Sequence, residues 1–463
     1  MERKNAWAAY AEDDSRVEAF AKAYCDFINN GKTERECVAY GEKLAKAHGF
    51  EDLNAAVRSG KKLEAGARVY VNWMGKSFML FVLGEKPLEE GMNILGAHID
   101  SPRIDVKQNP LYEDTDLAYL DTHYYGGIKK YQWVAIPLAL HGVIVRKTGE
   151  KVIINIGEDE NDPVFCISDL LVHLAQEQMA KNAKEVVEGE ALNLIVGGRP
   201  LEGEEKDAVK ANVLKLLADK YGVEEEDFLS AELEIVPAGK ARDMGFDRSM
   251  ILAYGHDDRV CAYPSMMAVL DYEGTPEYTL CCIVTDKEEI GSVGATGMAS
   301  HYLENTVAEL YACTADYCEL AVRRCLRNSR MLSSDVSAGY DPNFASAFEK
   351  KNSAFLGRGI CFNKFTGSRG KSGSNDANPE FMASLRKIMD DAGVAFQTAE
   401  LGRVDLGGGG TIAYLCAKYG MNVIDSGIAV LSMHAPYEII SKVDLYEGYR
   451  CYCAFLKGAK PVD

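Results

Sequence analysis

At 463 residues, 47% of them hydrophobic and 26% charged, the chain is too long for one small core and has the balance of a soluble globular protein, which excludes general disorder. A formal net charge of −19 without a long Lys/Arg run excludes nucleic acid as a partner, and no apolar stretch reaches membrane-spanning length. Thirteen scattered cysteines, an odd number with no CxxC spacing, read as small buried hydrophobes; with no secretory leader, they set the expectation of a reducing cytoplasm.

The first fifty residues carry apolar positions at helical spacing (Phe20, Tyr24, Phe27), and Asn29-Asn30-Gly31 divides them into two helices. ARVYVNW and SFMLFVLG flank Met74-Gly75-Lys76 as a hairpin, and GMNILGAHIDSP reads as a buried strand ending in a polar turn. From 106 to 249 the texture changes. Strands (WVAIPLALHGVIVRK, KVIINIG), a helix around SDLLVHLAQEQMA and an acidic helical stretch through EGEEKDAVKANVLKLLADKYGVEEED read as a β-rich domain inserted between 1–105 and 250–463. Strand-then-helix units follow: SMILAYGHDD before a helix from Tyr263, YTLCCIVTDKEE before a helix near Met298, then MLSSDV, MNVIDSG, and IAVLSMHAPYE before a helix capped by Ser441. That alternation predicts an α/β fold with a mostly parallel sheet and helices on both faces, whose functional groups gather at the carboxyl ends of the strands.

Those strand ends carry His98 and Asp100 in GAHIDSP, Asp257 and Asp258 in GHDDR, Glu288 and Glu289 in TDKEEIGS, Asp335 in LSSDVS, and His434 in SMHAP. Singly, each is an ordinary turn former or cap. Jointly, two histidines and a surplus of carboxylates are the donors that divalent metals take, and the lack of cysteine points to one or two catalytic ions rather than a structural zinc. Two ions need a bridging carboxylate, and a further carboxylate that binds no ion can serve as a base. That division of labour accounts for adjacent glutamates where a strand would place neighbours on opposite faces.

Other motifs are set aside. GSRGKSGS ends like a phosphate-binding loop, but Phe365 stands where its first glycine is required. DLGGGGTIAY is either a flexible turn or a close backbone approach to substrate before a helix from Thr411. His48, His141, His173 and His301 read as structural; His256 adjoins the expected bridge but points away from it, and His123 lies in the insertion.

The stretches AHIDSPR, HDDR, DKEEIGS, SSDVSAGYDPNF and MHAPYE, in this order and spacing, resemble the aspartyl aminopeptidase and vacuolar aminopeptidase I family of dinuclear zinc metalloaminopeptidases, as a bacterial member, over nearly the whole chain. The resemblance implies a zinc-exopeptidase-like fold and removal of amino-terminal residues from short peptides by a metal-bound water. It implies two divalent ions, zinc with cobalt or manganese as alternatives: His98, Asp257 and Asp335 hold one, while Asp257, Glu289 and His434 hold the other. Glu288 is then the general base, Asp100 orients the imidazole of His98, and a cis Asp257–Asp258 bond is expected. It further implies a homo-oligomer, a tetrahedral dodecamer built through the inserted domain. Cys361 departs from the lysine that eukaryotic members use to recognise acidic side chains, with Arg358 and Lys364 as substitutes, and Asp169 stands where they carry a histidine. Two rivals share these residues: a dinuclear deacylase or carboxypeptidase, and a non-catalytic peptide-binding shell.

Overall fold

The computed structural model describes residues 4–367 and 370–462. The chain divides into two compact units, one of Met1–Asp100, Ala241–Met433 and Glu438–Asp463, the other of Ser101–Lys240 and His434–Tyr437.

The first unit is built on a nine-stranded mixed sheet in the order Glu51–Asp52, Arg68–Trp73, Ser77–Val82, Thr279–Thr285, Met92–His98, Arg330–Ser333, Asn422–Gly427, Ile360–Asn363, Phe396–Thr398. The four strands from Thr279–Thr285 to Asn422–Gly427 are mutually parallel, and antiparallel pairs flank them on both sides. The runs TLCCIVT and MNILGAH are buried throughout because each face meets its own core. Cys282, Val284 and Leu95 pack with Val260, Tyr263 and Tyr452 on one side; Cys281, Ile283 and Ile94 pack with Val307, Leu310 and Val322 on the other. The adjacent cysteines therefore point to opposite faces of one strand.

Helices Ser15–Asn30 and Glu34–Ala47 form on either side of Asn30-Gly31, and the second is closed by a capping box in which Thr33 and Glu36 satisfy each other's backbone N–H groups. Two strand-helix units differ from the sequence expectation. Met250–Ala253 belongs to a separate three-stranded antiparallel sheet with Arg242–Met244 and Glu438–Ser441, and its helix starts at His256 rather than Tyr263. In IAVLSMHAPYE the run before His434 forms only the two-residue strand Ala429–Val430, paired with Ser337–Ala338 away from the large sheet, and the final Glu438 opens Glu438–Ser441. Both segments are short apolar runs, for which strand identity does not fix the sheet joined.

The second unit is a six-stranded antiparallel sheet in the order Lys151–Ile156, Leu138–Val145, Ala231–Pro237, Arg103–Asp114, Leu117–Tyr125, Leu194–Gly197, with the helix Ala208–Tyr221. The single helix expected around SDLLVHLAQEQMA is instead a turn at Val172–Leu174 and one short helix, Gln176–Met179. Leu170, Leu171, Val172 and Leu174 are clustered rather than spaced on one helical face, and all are exposed, so they give a longer helix no buried face.

Candidate metal centre

Three neighbouring parallel strands deliver the site. His98 closes Met92–His98, with Asp100 just beyond it; Glu288 and Glu289 open a short turn after Thr279–Thr285; Asp335 follows Arg330–Ser333. Asp257 and Asp258 lie in the first turn of the helix His256–Leu270, both with non-helical backbone, and the peptide bond between them is cis.

His98 and Asp257 are buried, while Asp335, Glu288 and Glu289 are partly exposed. Ligand atoms of His98, Asp257 and Glu289 lie within 4.8 Å of one another, as do those of His98, Glu288 and Asp335, and those of Asp257, Asp258 and Asp335. Glu289 thus groups with His98 and Asp257, and Asp335 with both aspartates. His434 belongs to the second unit, where its Nδ1 lies 2.8 Å from the Gly127 carbonyl and its backbone is left-handed (φ 65°). Asp258 faces the backbone, accepting the His98 N–H at 3.3 Å, and is better placed to support the strand end than to hold an ion.

Electrostatics make this arrangement costly without a cation. His98 Nδ1 faces the Asp100 carbonyl at 3.0 Å and Oδ1 at 3.2 Å, while Nε2 faces Asp257 Oδ1 at 3.1 Å and Glu288 Oε2 at 4.0 Å. Burial alone would lower its pKa; the bonds to Asp100 and Asp257 and the charge of Glu288 outweigh it and hold the ring well above its ordinary value. Burial and the charge of Glu288 push Asp335 well above the usual carboxylate range, and burial and Asp257 do the same to Asp258. Without an ion the ring is held protonated between Asp100 and Asp257; once Nε2 gives up its proton, the Nδ1–H···oxygen contacts to Asp100 leave the Nε2 lone pair facing the carboxylates, where a dication would replace the proton. One imidazole among several carboxylates is a donor set for a borderline-to-hard dication, so the residues fit zinc and its neighbours.

The other histidines are accounted for locally. His256 is buried with Nδ1 2.7 Å from the Tyr24 hydroxyl, and burial depresses its pKa to about 3. His141 pairs with Glu158, His301 with Glu304, and His48 Nδ1 meets the Leu44 carbonyl that closes its own helix. His173 and His123 are exposed, His123 beside the Tyr124 carbonyl. In GSRGKSGS, Ser368 and Arg369 lie outside the described residues, and Lys371 is held by Asp376 at 2.9 Å and stacks over Phe365. The glycine run leads to Thr411, whose hydroxyl is 2.5 Å from Asp425, and the helix begins at Ala413. Asp425, buried on the neighbouring strand, and the Lys76–Asp286 pair behind the glutamates escaped the sequence reading; both lie inside apolar runs or turns, where a lone charge is the signal.

An α/β sheet whose parallel strand ends gather one imidazole and a ring of carboxylates able to hold a divalent ion has the site of a metal-dependent hydrolase. Residues 27–456 match the family described as aminopeptidase I zinc metalloprotease, M18. The chain is 58% identical over 458 residues to a probable M18 family aminopeptidase 1 of Clostridium acetobutylicum, covering 98% of each chain. The crystal structure of an M18-family aminopeptidase from Thermotoga maritima superposes with a TM-score of 0.94 at 43% identity, over 99% of this chain and 100% of that one. The fold is also that of the Saccharomyces mApe1 dodecamer structure, with a TM-score of 0.76 at 22% identity, over 95% of this chain and 97% of that one. The chain belongs to the M18 family and is a zinc metalloaminopeptidase. Among the described residues no helix is long and apolar enough to cross a membrane.

Proposed function

We propose that this aminopeptidase removes amino-terminal residues from short peptides in the cytoplasm, with His98, Asp257, Glu289 and Asp335 holding two divalent ions and Glu288 moving the proton. The observation that carries this division is the pair of hydrogen bonds by which one carboxylate, Asp100, fixes both glutamates: Oδ1 accepts the N–H of Glu288 at 3.1 Å and Oδ2 that of Glu289 at 3.2 Å. Both side chains reach the site, Glu289 in one ligand group with His98 and Asp257 and Glu288 in another with His98 and Asp335; Glu289 is assigned to the ion and Glu288 to the proton. When bound, the ions supply Lewis acidity that polarises a carbonyl and acidifies a water. Glu288 then takes a proton from the attacking water and returns it to the leaving amine. Asp100 keeps the His98 proton on Nδ1, so that Nε2 offers its lone pair. Asp257, which with His98 and Asp335 lies in two of the ligand groups, is the carboxylate among them that would be shared between two ions. The assignment of His434 rests on the resemblance alone.

Selectivity for acidic amino termini is not part of this reading. Cys361 is buried in Ile360–Asn363, Arg358 stacks over Phe355 at 4.6 Å, and Lys364 pairs with Asp376. The dodecamer of the yeast relative supports a homo-oligomer here, with the second unit as its assembly element. A panel of aminoacyl reporters with free and acylated amines tests the reaction. Hydrolysis confined to the free amines is expected, and cleavage of the blocked series would replace the reading with a deacylase.

A further inference from the structure

The turn that carries Glu288 and Glu289 is not a conformation that its own sequence favours. Lys287 (φ 70°) and Ser292 (φ 59°) are non-glycine residues with left-handed backbone on either side of it, a state that persists only where surrounding structure imposes it. Asp100 fixes one side of the turn. The other side is held by a second group of side chains, all from the first unit, which neither the family assignment nor the proposed mechanism uses.

The group is centred on the hairpin Arg68–Trp73/Ser77–Val82, whose connection is Met74-Gly75-Lys76. Lys76 is only 7% exposed, and its ammonium lies 3.0 Å from Glu34 and 3.6 Å from Asp286, both fully buried. Asp286 directly precedes the turn. Its Oδ2 accepts the Thr296 hydroxyl at 2.6 Å and stands 3.4 Å from Lys287 Nζ, while its backbone N–H reaches Ser77 Oγ at 3.1 Å. The same hairpin holds the far arm of the turn: Ser77 Oγ donates to the Thr296 carbonyl at 2.7 Å and Trp73 Nε1 to the Ala295 carbonyl at 2.9 Å. Both arms of the 286–296 loop are therefore tied to one hairpin, and the tie includes a buried ion pair.

Burying a lysine and two carboxylates costs more than an apolar contact would unless geometry repays it, so a pair of this kind behind an active site marks a constraint on position. Burial and the charge of Glu34 raise the Asp286 carboxyl to about 6, and the two lysines oppose that shift.

We infer that Lys76 and Asp286 are positioning residues that hold Glu288 and Glu289 at their working separation by fixing the two ends of the loop, at 286 and 295–296, while Asp100 holds its middle. They touch neither substrate nor metal. The inference rests on Glu288 being the base.

The test uses the full-length, zinc-loaded enzyme with Lys76→Met, Lys76→Arg and Asp286→Asn beside Glu288→Gln. Expected for Lys76→Met and Asp286→Asn is a fall in kcat of about tenfold or more with KM within about twofold, the pattern of a misplaced catalytic group rather than lost substrate contacts. Lys76→Arg should restore most of the rate. Hydrogen exchange should rise in the segment spanning Glu288 and Glu289 and stay unchanged in the sheet core. Wild-type kcat and unchanged exchange in that segment for Lys76→Met, with Glu288→Gln inactive, would overturn the inference. A uniform rise in exchange across the core, with no rescue by arginine, would overturn it equally, since it would show a purely structural pair. Full activity in Glu288→Gln would instead remove the reading of the base, whatever the Lys76 variants do.

Discussion

Asp100 Oδ1 lies 3.2 Å from His98 Nδ1, and the same oxygen accepts the backbone N–H of Glu288 at 3.1 Å. One carboxylate therefore sets both the orientation of the imidazole and the position of the turn that carries the glutamates. A side chain with two such duties cannot be replaced by one that serves only the first.

Asp100→Asn retains an oxygen for one partner, but its amide cannot accept the second backbone N–H. Zinc affinity should fall about 10–100-fold, the usual cost of losing a partner that orients a ligand. Activity at saturating zinc should fall as well, because Glu288 moves. Competition with a chelating dye and steady-state kinetics at several zinc concentrations separate the two losses.

Removing the metal should destabilise the protein. Without a cation, the buried Asp257 and Asp258 must share the site with the partly exposed Asp335 and the two glutamates, and like charges at this range are relieved by proton uptake. Thermal denaturation with and without a chelator should show a lower midpoint for the chelated enzyme, restored by added zinc, with a difference that grows from pH 5 to pH 8 as the carboxylates ionise. An unchanged midpoint would mean that the cluster holds no ion.

Asp425, which lies in none of the ligand groups, offers a second pH test. Burial is the main cause that raises its carboxyl to about 7, against the hydrogen bond from Thr411. A folded-state value above the unfolded one means that the native state binds the extra proton, so the contribution of Asp425 is greatest below pH 4 and is lost as pH rises to about 7. Asp425→Asn removes the ionisation. Its stability relative to wild type should increase across that window by up to about 4 kcal/mol and level off above it. Denaturant midpoints at pH 4, 5.5, 7 and 8 measure this, and a difference independent of pH would contradict it.

The central strands were legible in the sequence because TLCCIV and MNILGAH are apolar on both faces, a pattern that only a covered parallel sheet explains. Their ends were legible for the same reason, since a carboxylate or histidine closing such a run stands out. Less legible was anything set by long-range pairing. Met250–Ala253 is as apolar as a central strand, yet it pairs with Glu438–Ser441 nearly two hundred residues later. The helix start at His256 depends on Gly255 adopting φ 78°, which the run GHDDR does not announce. Lys76 and Asp286 look like surface charges in the sequence, and only the fold buries them against each other.

The division between the two glutamates is tested most directly by zinc content and kcat measured together on Glu288→Gln and Glu289→Gln. Glu288→Gln should retain wild-type zinc and lose about 10²–10⁴ in kcat, the span of a missing general base. Glu289→Gln should lose zinc, with its activity falling in parallel. If Glu288→Gln loses its zinc, or Glu289→Gln retains full occupancy with a crippled rate, the assignment of base and ligand is wrong.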